Sequence, residues 1–292
     1  MENYRESPHQ VTTTQSVRAW WDKRPMTYGT THGTTKYGTF KTPLGGKTFY
    51  EHADDTLYRW NQPLHTAEHK FGKIFDYDHL RGKKVLEIGC GMGCMAMLWA
   101  QAGATVTAID LTPTAVSQTK FRFETYGLAG HIYEMDARSL AFPYDHFEYV
   151  YSWGVLHHSP DIHRSIDEIH RVLKPGGKAG VMVYNRESLY YRYMILFRKG
   201  ILRPFMTELE LASRYTDGYL QGGNPYTWPI TEAEARTYFK DFKDVTVRRL
   251  GEDVPHVFDE MIPKLGTWLL PKKLTDWVGE HWGWGLWIEA TK

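Results

Sequence analysis

Glycines at three alternate positions interrupt an apolar run at residues 85–95, VLEIGCGMGCM. Glycine lets the backbone turn tightly and approach a ligand, and a helix that follows such a turn directs its N-terminus at that ligand. The pattern therefore predicts a ligand-binding turn between a first strand and a first helix. A tight turn without a ligand is the alternative, because a glycine pattern on its own is a weak signal.

The spacing of these glycines limits the ligand. A dinucleotide site needs the pattern G-x-G-x-x-G, but the glycines are Gly89, Gly91 and Gly93, and Cys94 occupies the position of the last one. A phosphate loop is excluded because no Gly-Lys-Ser/Thr follows. Asp110 ends the predicted second strand, where a carboxylate can accept hydrogen bonds from ribose hydroxyls. The site therefore favours a nucleoside without a pyrophosphate.

The elements that position this turn follow from the pattern between about Lys83 and Asn185. Short apolar runs alternate there with amphipathic stretches, which is typical of parallel strands joined by crossover helices. The predicted strands are Lys84 to Ile88, Thr105 to Leu111, Ile132 to Asp136, Phe147 to Ser152 and Lys178 to Tyr184. Their Val, Ile and Tyr content suits strands that are buried on both faces.

Two helices carry start signals, in which a hydroxyl residue precedes a proline at the first helical position: Thr112-Pro113 and Ser159-Pro160. After the second signal, apolar residues recur at helical spacing and should pack on the sheet. They are Ile162, Ile166, Ile169 and Leu173. The Pro-Gly-Gly at residues 175–177 should end this helix.

The flanks differ from this core. Val17, Trp20 and Trp21 indicate a short amphipathic helix, and residues 27–48 are rich in Thr and Gly, which predicts a mobile loop. Because a reaction can gain from a closed site that excludes water, we expect this loop to act as a lid. An inert surface linker is the alternative. An aromatic and basic insertion follows Tyr184.

Composition narrows the range of partners. The chain has 292 residues, with 35 basic and 34 acidic side chains and a net charge of +1, so no strong field attracts nucleic acid or an anionic membrane. The two cysteines flank the glycine turn and cannot link distant parts of the fold. No signal-peptide pattern and no apolar stretch of membrane-spanning length is visible. We therefore expect a soluble, cytoplasmic protein.

Five motifs in succession resemble those of the class I S-adenosylmethionine-dependent methyltransferases, in particular the small-molecule branch with a type 11-like methyltransferase domain. They are LEIGCGMG, AIDLTP, MDARSLAF, YVYSWGVLHH and RVLKPGG, and they span roughly residues 83–185. The resemblance implies an α/β fold with a doubly wound, Rossmann-like, seven-stranded and mostly parallel sheet. Val245 to Leu250 and Trp284 to Ala290 resemble the antiparallel hairpin at its edge.

The same resemblance implies a domain plan, with an N-terminal cap and lid at residues 1–70. The S-adenosylmethionine-binding domain would occupy residues 71–292, with a helical insertion at about 188–230. S-adenosylmethionine would be the cofactor and S-adenosylhomocysteine its product. The implied cofactor-binding residues are Glu87, Gly89, Gly91, Met92, Gly93, Asp110, Leu111, Asp136, Ala137, Ser152 and Trp153.

The catalytic requirements of methyl transfer are modest, because the sulfonium carries its own leaving group and the enzyme mainly aligns the reactants. A base is needed only for a hydroxyl or a protonated amine, and His157 or His158 is a candidate for it. A packing role is the alternative for both. No metal is predicted, because these histidines, with His163 and His170, lack a carboxylate or thiolate at ligand spacing.

The acceptor side is predicted to be aromatic. Its candidate residues lie in the cap, in the last central strand and in the insertion: Trp20, Trp21, Tyr28, Tyr184, Tyr190 and Tyr191. Such aromatic residues stack on planar or cationic groups, although on a helix they more often belong to the core.

Three classes of function stay open. The first is methyl transfer to a small-molecule acceptor, which a cap and an insertion can enclose. The second is methyl transfer to a lipid or quinone at a membrane surface, because residues 258–278 combine Trp, Leu and Lys. The third is S-adenosylmethionine binding without catalysis. A nucleic-acid acceptor is not expected, since no basic stripe is present.

Overall fold

The computed structural model describes residues 8–24, 34–35, 38–39, 45–218, 222–251, 254–262 and 264–292. Most of the predicted lid and the candidate residue Tyr28 lie outside these ranges. The predicted loop extends two residues too far, because a helix already begins at Lys47. Residues Thr34–Thr35 and Gly38–Thr39 form a short antiparallel pair.

Seven strands form the central sheet. They are β1 (Lys84–Ile88), β2 (Thr105–Asp110), β3 (His131–Glu134), β4 (Phe147–Trp153), β5 (Leu173–Tyr184), β6 (Lys243–Leu250) and β7 (Gly285–Thr291). Their order is β3-β2-β1-β4-β5-β7-β6. The first five are parallel, and β7 is antiparallel to both of its neighbours. The predicted mostly parallel sheet with an antiparallel edge pair is confirmed.

Ten helices accompany the sheet within the described ranges. They are α1 (Pro8–Asp22), α2 (Lys47–Trp60), α3 (Cys94–Gln101), α4 (Pro113–Thr125), α5 (Ile162–Val172), α6 (Tyr190–Lys199), α7 (Glu208–Tyr215), α8 (Glu232–Tyr238), α9 (Val254–Met261) and α10 (Lys272–Trp282). Single turns lie at Gln62–Leu64, Leu156–His158, Gly200–Leu202 and Leu265–Leu269. α6 has the wider π-helical hydrogen bonding. No helix among the described residues is long and apolar enough to cross a membrane.

The sheet is buried on both faces because successive side chains of a strand point to opposite sides. In β4, Tyr149 and Tyr151 pack on one face with Trp99 of α3, whereas Val150 packs on the other with Ile166 and Ile169 of α5. The predicted apolar face of this last helix is confirmed for Ile162, Ile166 and Ile169. Leu173 is the first residue of β5 instead, because the helix ends at Val172, before the Pro-Gly-Gly that was predicted to end it. Two apolar cores hold the strand ends in fixed positions.

The start of α4 is confirmed, since the Thr112 side chain caps it and Pro113 is its first residue. The predicted start of α5 at Ser159-Pro160 is wrong. Asp161 caps that helix, because its carboxylate accepts a hydrogen bond of 3.0 Å from the Arg164 amide. A carboxylate is a stronger acceptor for the positive end of a helix than a hydroxyl.

α2 is held against the core by a buried ion pair. Arg122 Nη2 of α4 donates to Asp54 Oδ1 of α2 at 2.6 Å, and both side chains are buried. The same guanidinium lies 4.4 Å from the centre of the Tyr50 ring. A buried charge without its partner strongly destabilises the folded state. The ion pair therefore holds α2 at a fixed position on α4.

Candidate functional site

A cavity opens at the carboxyl ends of the parallel strands, where open α/β sheets bind ligands. Its floor consists of residues that directly follow or end β1 to β4: Gly89, Gly91, Asp110, Leu111, Asp136, Ala137 and Trp153. Its roof comes from α1, which contributes Thr14, Val17 and Trp21. The fold thus brings together seven of the predicted cofactor residues and one predicted acceptor residue.

The glycine turn is built from backbone conformations that favour glycine. Gly89 and Gly91 have φ of 80° and 53°. A Cβ atom on Gly89 would lie 2.2 Å from Val155 Cγ2, which is far inside van der Waals contact. The backbone therefore forms this wall of the cavity, and a side chain at either glycine would conflict with it.

The Asp110 carboxylate is oriented by three hydrogen bonds. Oδ2 accepts from the Gly91 amide at 3.0 Å, and Oδ1 accepts from the amide and the hydroxyl of Thr112 at 3.0 and 2.9 Å. Burial raises the pKa of Asp110, and these hydrogen bonds oppose the rise. A carboxylate accepts about four hydrogen bonds, so Oδ2 keeps capacity for a ligand hydroxyl.

The Asp136 carboxylate is fixed by Arg138, two residues further along the chain. Asp136 Oδ1 accepts from the Arg138 amide and from Nε at 2.9 and 3.0 Å, and Oδ2 accepts from Nη2 at 2.6 Å. The guanidinium is buried, whereas the carboxylate stays partly open to the cavity. This arrangement presents an oriented acceptor beside the Ala137 backbone.

Four predicted cofactor residues lie behind the cavity wall. Ser152 Oγ donates to the Ile88 carbonyl at 3.0 Å, and Met92 packs against Phe49 and Tyr50. Gly93 lies against Thr119, where a Cβ would come within 2.8 Å. These residues and the buried Glu87 support the glycine turn from the side that faces away from the cavity. Direct contact of any of them with a cofactor stays a prediction.

Glu87 is expected to make the stability of the folded protein depend on pH. Burial raises its pKa to about 8 from an ordinary value of 4.5, so the folded protein holds a proton on it that the unfolded chain releases. Stability should therefore fall as pH rises from about 4.5 to about 8. Glu87→Gln removes this titration, and we expect its melting temperature to gain on the wild type progressively between pH 5 and 8. Thermal unfolding measured across that range checks this.

The control for this prediction is Glu124→Gln, which changes an exposed glutamate of α4. Its melting temperature should keep a constant offset from the wild type. A constant offset for Glu87→Gln as well would contradict the assignment of a protonated Glu87.

The two candidate bases occupy different environments. His158 lines the cavity and lies 5.1 Å, ring centre to ring centre, from Trp21. His157 does not line this cavity; it is 1% exposed and stacks on Tyr184 at 3.9 Å. Burial and the neighbouring His158 lower the pKa of His157 well below its usual value, so its ring is neutral.

A carboxylate that the sequence analysis missed completes this group. Asp217 Oδ2, in the segment after α7, lies 3.3 Å from His158 Nε2, and its Oδ1 accepts from the Tyr184 hydroxyl at 3.0 Å. The histidines lack a carboxylate at ligand spacing along the chain, but the fold supplies one from the segment after α7. No local sequence signal could have identified it.

The other predicted acceptor residues lie away from the cavity. Tyr191 is fully buried, and its hydroxyl donates to Glu208 at 3.1 Å. Tyr184 and Tyr190 contact Trp284, with ring centres 4.2 and 5.1 Å apart. Trp20 packs edge-on against Trp21 at 4.8 Å. Of this predicted set, Trp21 is the residue that lines the cavity within the described part of the chain.

Comparisons with known sequences agree with this geometry. A family model described as a methyltransferase domain matches residues 85–177. A ubiquinone biosynthesis O-methyltransferase of Pseudomonas syringae pv. tomato is 34% identical over 175 residues, which cover 55% of this chain and 74% of that protein. A sterol 24-C-methyltransferase of Gibberella zeae is 27% identical over 244 residues, or 70% of this chain. The chain spans 64% of the length of that relative.

Solved structures show the same fold. An S-adenosylmethionine-dependent methyltransferase from Methanosarcina mazei matches with a TM-score of 0.53 and 21% identity, over 76% of this chain and 95% of that one. The [4+2]-cyclase SpnF matches with a TM-score of 0.52 and 16% identity, over 96% of both chains. Since one of these proteins is named as a cyclase, the fold alone does not define the reaction.

Proposed function

Because this chain belongs to the S-adenosylmethionine-dependent methyltransferases, we propose that it transfers the methyl group of S-adenosylmethionine to a small-molecule acceptor. One observation carries the proposal: a single cavity joins the glycine turn, an oriented Asp110 and an oriented Asp136. S-adenosylmethionine, when bound, supplies an activated methyl group and a neutral leaving group. The chain has to bind this cofactor, align the acceptor and exclude water.

The groups in the cavity suit the parts of this cofactor. Asp110 Oδ2 has capacity to accept a hydrogen bond from a ribose hydroxyl. The partly open Asp136 carboxylate suits an exocyclic amine of adenine, and the apolar Leu111 side chain suits the face of the base. Trp21 and Trp153 line the same cavity, and aromatic faces stabilise cations such as a sulfonium.

His158 is the predicted base that reaches the cavity, but its ring nitrogens already face acceptors. Nδ1 lies 2.9 Å from the Tyr226 carbonyl oxygen and Nε2 lies 3.3 Å from Asp217 Oδ2. A ring held in this way positions the acceptor side of the cavity. A proton-accepting role for His158 requires the Asp217 contact to open, so it stays a prediction.

The proposal is tested by incubating the protein with S-adenosylmethionine carrying a labelled methyl group and with fractionated metabolite extracts of the source cell. We expect label in a small molecule that mass spectrometry shows to be heavier by one methyl group. The Asp110→Ala variant is the control and should transfer little label. S-adenosylmethionine binding without transfer to any fraction would contradict catalysis and favour a binding protein.

A lipid or quinone acceptor is the second candidate, because the C-terminal helices expose apolar side chains next to lysines. The exposed set on α9, α10 and their connection is Ile262, Trp268, Leu269, Leu274, Trp277 and Trp282. Trp268 is 77% exposed, and Lys264, Lys272 and Lys273 are exposed beside this surface. Trp with Lys is typical of helices that lie on a bilayer. Relatives named for sterol and ubiquinone methylation support the same acceptor class.

Co-sedimentation with liposomes separates the two candidates. A chain that acts on membrane lipids should sediment with vesicles that contain anionic lipid, and Trp268→Ser with Leu269→Ser should release it. A protein that stays in the supernatant at low ionic strength would contradict the lipid candidate and leave the small-molecule acceptor standing.

A further inference from the structure

Three buried side chains from two distant segments converge beside the cavity. His157 and His158 follow β4, and Asp217 follows α7; one ligand atom from each lies within 4.8 Å of the others. In the part of the chain that the structure describes, no other group of three such side chains comes together in this way. We propose that these residues form a binding site for one divalent transition-metal ion, with Zn²⁺ as the best-suited ion.

The surroundings of His158 fix the tautomer that a metal needs. Nδ1 lies 2.9 Å from the Tyr226 carbonyl oxygen, which can only accept, so Nδ1 carries the proton. Thr227 Oγ1, 3.1 Å from Nδ1, donates its own proton to Asn224 Oδ1 and is free to accept as well. Nε2, which faces Asp217 Oδ2 at 3.3 Å, is therefore the ring nitrogen that a metal ion would bind. A backbone carbonyl on the far ring nitrogen is the usual support of a metal-binding histidine.

His157 supplies the second nitrogen. It is 1% exposed, and neither ring nitrogen has a hydrogen-bond partner among the described residues. Two buried polar atoms without a partner are unfavourable for a folded protein, and a bound cation would satisfy one of them. Either ring nitrogen can offer a lone pair to a metal ion, and both lie in this buried group of side chains.

Asp217 supplies the charge. Its Oδ1 accepts from the Tyr184 hydroxyl at 3.0 Å, which orients Oδ2 towards His158 Nε2 at 3.3 Å. Asp217 Oδ2 and His158 Nε2 therefore face each other, and a proton or a cation can lie between them. Outer hydrogen bonds of this kind to a ligating carboxylate are a regular feature of metal sites.

The donor set selects the ion. Two imidazole nitrogens and one carboxylate oxygen suit Zn²⁺ and other late divalent ions, whereas Mg²⁺ and Ca²⁺ prefer oxygen ligands. Ligands of tetrahedral Zn²⁺ at about 2.0–2.1 Å lie roughly 3.4 Å from one another. The 3.3 Å separation of His158 and Asp217 already fits. The ligand atoms of the three residues all lie within 4.8 Å of one another, and the widest of these separations has to shorten as the ion binds.

The position of the site suggests its use. His158 lines the proposed cofactor cavity, so a metal on its Nε2 lies next to the acceptor side. Three protein ligands leave one position of a tetrahedral ion open, and a metal there lowers the pKa of a bound hydroxyl. This use rests on the proposed function, whereas metal binding itself does not.

Metal binding is tested on the full chain after removal of metal with a chelator and exhaustive dialysis. Calorimetric titration with ZnCl₂ should show one site. The melting temperature should rise by about 4 °C at a free Zn²⁺ concentration of about a hundred times Kd. His157→Ala and the isosteric Asp217→Asn should each weaken binding at least a hundredfold, and Tyr184→Phe by about tenfold.

His163→Ala is the matched control, because His163 forms an exposed pair with Asp167 at the same 3.3 Å separation. It should leave Zn²⁺ affinity unchanged. Absence of stoichiometric Zn²⁺ binding by the wild type, or equal affinity in Asp217→Asn, would overturn the proposal. S-adenosylmethionine affinity measured without Zn²⁺ distinguishes this failure from failure of the proposed function.

Discussion

Asp110→Ala is expected to weaken S-adenosylmethionine binding by about ten- to a hundredfold, which corresponds to one charge-assisted hydrogen bond of about 1.5–3 kcal/mol. The carboxylate lies in the cavity with its orientation fixed by Gly91 and Thr112. Its removal deprives a ribose hydroxyl of its acceptor and leaves the Gly91 amide without its partner. Isothermal titration calorimetry with S-adenosylmethionine and S-adenosylhomocysteine measures the effect, and NAD should not bind at all.

Asp167→Ala is the control for this substitution, because Asp167 is an exposed aspartate of α5 outside the cavity. The affinity of the Asp167→Ala variant for S-adenosylmethionine and S-adenosylhomocysteine should equal that of the wild type. Unchanged affinity in Asp110→Ala would remove the ribose assignment, and with it the main reason to place the nucleoside at the end of β2.

Gly91→Val is expected to abolish detectable binding while the protein still folds. The φ of 53° at this position is unfavourable for a β-branched residue, and Gly91 itself lines the cavity. Any shift of the turn also moves the amide that donates to Asp110. Calorimetry measures binding, and circular dichroism with thermal unfolding measures the integrity of the fold.

Gly127→Val separates backbone strain from obstruction of the cavity. Gly127 follows α4 with a φ of 63°, and a Cβ there would meet nothing within 4 Å. This variant should lose some stability and bind S-adenosylmethionine normally. If Gly91→Val is unfolded while Gly127→Val is not, the role of Gly91 is structural and the cofactor assignment loses this support.

The parts of the molecule that depend on neighbours in sequence could be predicted. The bounds of β1 match the prediction at both ends, because a short apolar run between charged residues and a glycine leaves few alternatives. The cavity floor was also predictable, since residues at strand ends of a parallel sheet meet at one edge. Asp110 and Asp136 lie there because each follows an apolar strand.

The parts that depend on long-range packing could not be predicted. Ser159 and Asp161 are both capping residue types, and only the fold determines which of them begins α5. Asp217 lies in the long segment between β5 and β6 and reaches the histidines only through the fold, and no periodicity in the chain encodes that approach. Tyr191 belongs to a small core with α7, a partner that helical spacing alone does not reveal.

The roof that α1 forms over the cavity affects how long a bound molecule stays there. The floor consists of core strands. The contacts of α1 include the buried Val17, the ring contact of Trp21 with His158, a hydrogen bond of 3.0 Å from the Thr114 amide to Asp22 and an exposed ion pair between Arg18 and Glu134. Exposed ion pairs contribute about 0–1 kcal/mol, so the roof detaches at much lower cost than any strand. We therefore expect the residence time of a molecule in this cavity to depend more on how often α1 lifts than on the rigid sheet beneath it.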